Sequence, residues 1–280
     1  MVKGVLCIVF IGLILIISFD THAKTIIYQP LQKDAAVPLE KWKTLIDRLH
    51  IEGYREIVIQ WSQYGSVNFW QTDSFIKEPV NYALLKGFKF WLGLYLPHDY
   101  YQIMEKEKTN KNDYFDKVIK ENQHLIAKLH IQNVINEDQL LGWYIPTELT
   151  HNYISAKKGV QLNLEPLKQL VELNQKPTTV SYFLDQNTSV AQGLMDLNTL
   201  KKLGVQVWLQ RSNGLNKNTF AEQLLSQMHC DFGVIHENFK QTSTSNMPFS
   251  ARSAVLNDDM ASSCHKPIVF SLRYLPYSPL

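Results

Sequence analysis

Several chemistries are missing from this chain. No His-x-His or His-x3-His pair offers metal-ligand spacing on one element, so the metal-dependent deacetylases that trim exported polysaccharides find no match. His98, Asp99, His151 and His236 stand singly near strand ends. No glycine-rich loop opens a helix to cradle phosphate, and no dinucleotide glycine signature follows a strand. A Gly-x-Ser-x-Gly elbow is also absent, which disfavours the common esterases. The formal net charge is only +2 and no basic run occurs, so nucleic acid is not an expected partner. No low-complexity linker divides the chain, and one domain is the simplest count.

Cysteine is scarce. Of the three, Cys7 falls in the N-terminal apolar stretch, leaving Cys230 and Cys264. Each lies just ahead of a predicted strand, which places both at the amino-terminal face of a parallel sheet. An oxidising compartment would permit a disulfide between them, while spacing alone leaves two free buried thiols as the other reading.

The N-terminus is apolar where the rest is mixed. Met1-Val2-Lys3 is a short basic start, Val5 to Phe19 is almost unbroken hydrophobic sequence, and Thr21-His22-Ala23 offers a small residue for cleavage. This layout predicts a signal peptide over residues 1–23 and a periplasmic or secreted domain over 24–280. An uncleaved inner-membrane anchor, with the domain facing the periplasm, is the alternative. After cleavage no membrane contact is expected.

From Thr25 onward the recurring unit is a helix, a short break and an apolar strand. Strands are predicted at 25–29, 56–61, 88–95, 140–145, 178–183, 205–210, 231–235 and 267–272. Helical periodicity separates them, as in Pro38–His50, where Leu39, Trp42, Ile46 and Leu49 share a face. Pro146 is expected to stop the fourth strand. Eight strands alternating with helices predict an α/β fold, a (β/α)8 TIM barrel. The chain as given ends at Leu280, so the last helix is expected to be missing. Either the barrel is open at that point or another segment covers the seam.

In such a barrel, ligands meet the carboxyl ends of the strands. Standing there are Gln29, Gln60, Trp61, Tyr95, Glu148, Tyr182, Asp185, Gln210, Arg211, Glu237, Asn238, Arg273 and Tyr274. Amides and carboxylates hydrogen-bond hydroxyl groups, and aromatic faces pack on sugar rings, so this set suits a neutral polyhydroxylated ligand. Gln29, Gln60, Trp61, Tyr95, Tyr182, Gln210, Asn238 and Arg273 are the expected substrate-binding residues. Glycoside hydrolysis needs one carboxylic acid and one carboxylate across the scissile bond. Glu148 after strand four and Glu237 after strand seven supply the pair. Each alone reads as a solvated glutamate, but together on these strands they read as a catalytic dyad. Burial of Glu148 among Trp143, Tyr144 and substrate would raise its pKa, while a donor such as Arg273 would keep Glu237 charged. No metal and no cofactor are expected.

The dyad resembles the acid/base and nucleophile of the clan of retaining barrel glycosidases. More closely, Ile27-Tyr28-Gln29-Pro30, Ile59-Gln60-Trp61, Trp91-Leu92-Gly93-Leu94-Tyr95, Gly142-Trp143-Tyr144-Ile145-Pro146 and Val207-Trp208-Leu209-Gln210 resemble a bacterial family of glycosidase-like barrels, domain of unknown function family 4434. The resemblance runs over nearly the whole mature chain and implies an exported glycoside hydrolase with a polysaccharide substrate. The clan usually has asparagine before its acid/base; Thr147 stands there instead. Two rival readings remain: a carbohydrate-binding barrel without turnover, and a scaffolding component of an envelope polysaccharide system with partners on the His98–His130 stretch. A monomer is expected.

Overall fold

The computed structural model describes residues 23–106, 110–155, 161–185, 188–211, 219–243, 250–254 and 264–280. The expected leader, up to residue 22, lies outside them. Eight parallel strands close into a barrel: β1 (Lys24–Tyr28), β2 (Tyr54–Ile59), β3 (Lys89–Gly93), β4 (Leu140–Thr150), β5 (Thr178–Phe183), β6 (Gln206–Gln210), β7 (Gly233–Glu237) and β8 (Lys266–Phe270). Helices α1 (Leu39–Ile51), α2 (Lys77–Leu85), α3 (Lys111–Gln132), α4 (Glu165–Leu173), α5 (Val190–Lys202) and α6 (Thr219–Leu225) lie between them in sequence. This is the (β/α)8 architecture. Among the described residues, no helix is long and apolar enough to cross a membrane.

The period of two along each strand decides what fills the barrel and what meets the helices. Ile27, Val58, Trp91, Tyr144, Trp208, Ile235 and Ile268 form one buried cluster, the interior of the barrel. Their sequence neighbours Ile26, Ile57, Phe90, Ile145, Val207, Val234 and Val269 belong to the second cluster, which includes the helix faces. In α1, Trp42, Leu45, Ile46 and Leu49 are buried against it, each worth about 1.5–3 kcal/mol of transfer free energy. Trp208 stacks on Tyr144 at 5.5 Å and meets Trp91 edge-on at 5.3 Å. So large an interior requires small neighbours: a Cβ on Gly142 would come within 2.5 Å of the Trp91 ring and 2.3 Å of the Pro177 carbonyl.

The seam is closed. β1 pairs with β8 as well as with β2. After β8 a 3-10 turn (Leu272–Tyr274) leads into a tail whose Leu272 and Leu275 are buried in the outer cluster, with Tyr277 and Leu280 packed against it. The Arg48 guanidinium lies 5.5 Å from the Tyr277 ring centroid. The tail thus covers the position where an eighth helix would sit. At the amino-terminal end, Glu56 accepts hydrogen bonds from Thr25, Trp91 and Lys266. Cys230 and Cys264 are joined in a disulfide with Cα atoms 5.3 Å apart.

Pro146 does not end the fourth strand. β4 runs on to Thr150, but Ile145 pairs with Val180 and the next pair is Glu148 with Ser181. Pro146 and Thr147 are therefore extra residues on one side of the ladder. A bulge tolerates proline because a residue there need not donate to the neighbouring strand.

Candidate active site

At the carboxyl end of the barrel is a cavity of about 470 Å³. Its floor includes Ile27, Tyr144, Ile235 and Phe270, the uppermost part of the barrel interior. Above this layer the same alternation selects the next inward residues. Gln29 follows Ile27 by two, Gln60 follows Val58, Gln210 follows Trp208 and Glu237 follows Ile235, and all four line the cavity. A polar ring thus stands on an apolar floor.

Glu148 joins this ring through the bulge. The two extra residues leave its inward orientation intact but bring it opposite Ser181; an unbroken ladder would have carried it up to Phe183. The residue is half-buried, open to the cavity on one side. Burial of its carboxyl holds its pKa above the ordinary carboxylate range, and a hydrogen bond from Gln210 Nε2 to Glu148 Oε1, 2.9 Å long, opposes that shift. Glu237 is the last residue of β7 and is 9% exposed. Both glutamates line the one cavity.

Gln60 Oε1 is buried and has no hydrogen-bond partner among the described residues, which leaves an acceptor for a ligand hydroxyl. Trp61 lines the cavity with its indole N–H donating to the Pro30 carbonyl at 3.0 Å, and Tyr64 stacks on it at 4.7 Å. Arg273 also lines the cavity, but its guanidinium fork is engaged by Asp34, with Nη2 2.8 Å from Oδ2 and Nη1 3.1 Å from Oδ1. Tyr28 and the Leu31 amide donate to the same carboxylate. This buried ion pair braces the cavity wall.

Three expected residues lie elsewhere. Tyr182 shares the outward parity of Val180; it is fully buried towards the helices and donates to Asp196 Oδ2 at 2.7 Å, beside His151 and Ser155 on the same carboxylate. Tyr95 falls beyond β3 in a small three-stranded sheet with residues 63–64 and 67–68, outside the cavity lining. Asn238 ties the exits of β7 and β8 together, accepting from the Ser271 amide at 2.6 Å and donating to the Ser271 carbonyl at 3.0 Å. Trp143, expected beside Glu148, also points outward and meets His130 at 5.1 Å. His236 faces away from the cavity ring; burial, then the nearby Arg211 charge, push its pKa down to about 4. Leu31, Lys33, Tyr64, Leu96, Tyr101 and Phe239 also line the cavity and were not expected, because the segments between barrel strands and their helices carry no periodic signal. Among the described residues no cluster of ligating side chains could hold a metal ion.

A closed parallel barrel of eight strands with a cavity at its carboxyl mouth, lined by amides, aromatic rings and two glutamates, defines the class as a (β/α)8 barrel protein. Residues 24–243 match the family described as Domain of unknown function (DUF4434), and the chain belongs to that family. The uncharacterized protein YbcH of Escherichia coli K12 is 27% identical over 96% of this chain and 95% of its own length. Among solved structures, a candidate alpha-L-fucosidase from Bacteroides thetaiotaomicron aligns with TM-score 0.63 and 13% identity, covering 89% of this chain and 87% of that one. The Bacillus cereus spore cortex-lytic enzyme SleL aligns with TM-score 0.52 and 7% identity over 92% of this chain and 72% of that one. These likenesses show the shared fold.

Proposed function

We propose that this protein is an exported glycoside hydrolase acting on a polysaccharide, with Glu148 as general acid/base and Glu237 as nucleophile. The observation that carries the reading is that both glutamates line one cavity, with the Glu148 carboxyl held above the usual carboxylate range by burial. A raised pKa keeps a proton available for the leaving group near neutral pH. The fold likeness to the fucosidase candidate and to SleL supports the same class.

In the first step Glu148 gives its proton to the glycosidic oxygen while a Glu237 oxygen bonds to the anomeric carbon, and the bond to the leaving sugar breaks. In the second, Glu148, now a carboxylate, takes a proton from water; the hydroxide oxygen bonds to the anomeric carbon and releases Glu237. Two inversions retain the configuration. Gln60 and Gln29 would orient hydroxyl groups, and the Trp61–Tyr64 stack would present an aromatic face to a ring.

The test is hydrolysis of a panel of bacterial exopolysaccharides by the wild type, Glu148→Gln and Glu237→Gln, with folding followed by circular dichroism. Each variant should lose about 10²–10⁴ in kcat. Turnover by wild type that survives in both variants would overturn the assignment. Binding of the same polymers with no turnover by the wild type would assign a carbohydrate-binding barrel instead.

A further inference from the structure

A second hollow, of about 560 Å³, lies on the flank of the barrel between α2 and α3. Its lining differs in chemistry from the mouth. Carboxamides come from Asn68, Gln71, Asn81, Gln132 and Asn133, ammonium groups from Lys77 and Lys128, and the lining contains no carboxylate. Carboxamides offer a donor and an acceptor together, which matches the alternating needs of sugar hydroxyls. Two cations without a carboxylate among them select a ligand that also carries negative charge. Among the described residues, every Lys or Arg ion pair uses other cations than these two. Lys77 donates to the Thr72 carbonyl at 3.2 Å, which holds its ammonium at the rim.

The wall facing the helices is braced. The Trp70 amide donates to Asn68 Oδ1 at 2.7 Å, its indole N–H donates to Ser62 Oγ at 2.9 Å, and the Phe69 amide donates to the Ser62 carbonyl at 2.9 Å. The same hairpin reaches the mouth. Gln63 pairs with Asn68 and Tyr64 with Val67, so Asn68 serves the flank while Tyr64 lines the cavity that holds Glu148 and Glu237.

We propose that this flank groove is a second saccharide site, which binds an anionic stretch of a polysaccharide whose other part enters the mouth. Carboxamides take the hydroxyls, and Lys77 and Lys128 pair with uronate or sulfate groups. Ligand capture at the flank does not require the two-glutamate chemistry; only the link to cleavage rests on the glycosidase reading.

The experiment uses the full chain carrying Glu148→Gln, so that bound polymer is not consumed. Isothermal titration would compare oligosaccharides of galacturonate, mannuronate, glucuronate and sulfated galactose with neutral oligosaccharides of equal length and with sodium sulfate. At least one acidic oligosaccharide should bind, more weakly in about 0.5 M salt. Lys77→Ala with Lys128→Ala should lower that affinity about tenfold, and Lys77→Arg with Lys128→Arg should largely keep it. Failure of every acidic oligosaccharide to bind would overturn the proposal. So would equal binding of neutral and acidic chains, sulfate alone competing as well as the oligosaccharide, or binding unaffected by the alanine pair. Flank binding without hydrolysis by the wild type would defeat the glycosidase reading alone; hydrolysis without flank binding would defeat this one alone.

Discussion

Gln210 Nε2 donates to Glu148 Oε1 across the barrel mouth, 62 residues apart in sequence and 2.9 Å apart in space. The bond favours the ionised carboxylate and opposes the burial that raises its pKa. The amide therefore sets how readily Glu148 releases its proton. Gln210→Leu should raise the Glu148 pKa, and the alkaline limb of the kcat/KM profile should move to higher pH. A limb that stays in place, measured across pH 5–10 on a substrate the wild type cleaves, would remove Gln210 from this role.

Glu148 also bears on stability. Its folded pKa is above the unfolded value, so its favourable contribution is fully present below the unfolded pKa and is lost as pH rises through the folded pKa. Once the pH has risen past the folded pKa, the fold carries a partly buried charge for the sake of the site. Glu148→Gln should raise Tm by a few degrees at a pH above the folded pKa and change it less at pH 4, as read by calorimetry across a pH series.

His236 works in the opposite direction. Its pKa is depressed from 6.5 to about 4 by burial and then by Arg211. The stability it supports is complete above the unfolded value and is lost as pH falls towards the folded one. Between pH 7 and pH 4 this amounts to up to about 3 kcal/mol. Thermal unfolding of His236→Leu should show a shallower acid decline than the wild type over that window.

Asp34 and Arg273 form a buried pair at the cavity wall, with side chains 1% and 10% exposed. Removing one partner strands the other charge. Asp34→Ala should destabilise the protein by about 3–5 kcal/mol in urea unfolding, whereas Asp34→Ala with Arg273→Met should recover part of the loss.

The strand-by-strand alternation was legible in the amino-acid sequence because period two and period 3.6 are local properties of the backbone. Apolar runs at 178–183 and 205–210 became β5 and β6 within a residue, and Gln29, Gln60, Gln210 and Glu237 were identifiable from their position after such runs. Parity within a strand was equally readable in principle: Val180 and Tyr182 point the same way, which sends Tyr182 to Asp196 and away from the mouth. The bulge at Pro146–Thr147 was not readable, since proline ends a strand or sits in a bulge depending on a neighbour, β5, that the local sequence does not contain. The pairing of Arg273 with Asp34 joins residues 239 apart, and the closing of the seam by the tail joins Tyr277 to α1. The sequence by itself determined the eight-strand alternation and the two glutamates at the carboxyl ends of its fourth and seventh strands. Only the tertiary structure decided how deep Glu148 sits, which partner holds Arg273, and that both glutamates share one cavity, because each of these depends on the register between strands distant in the chain.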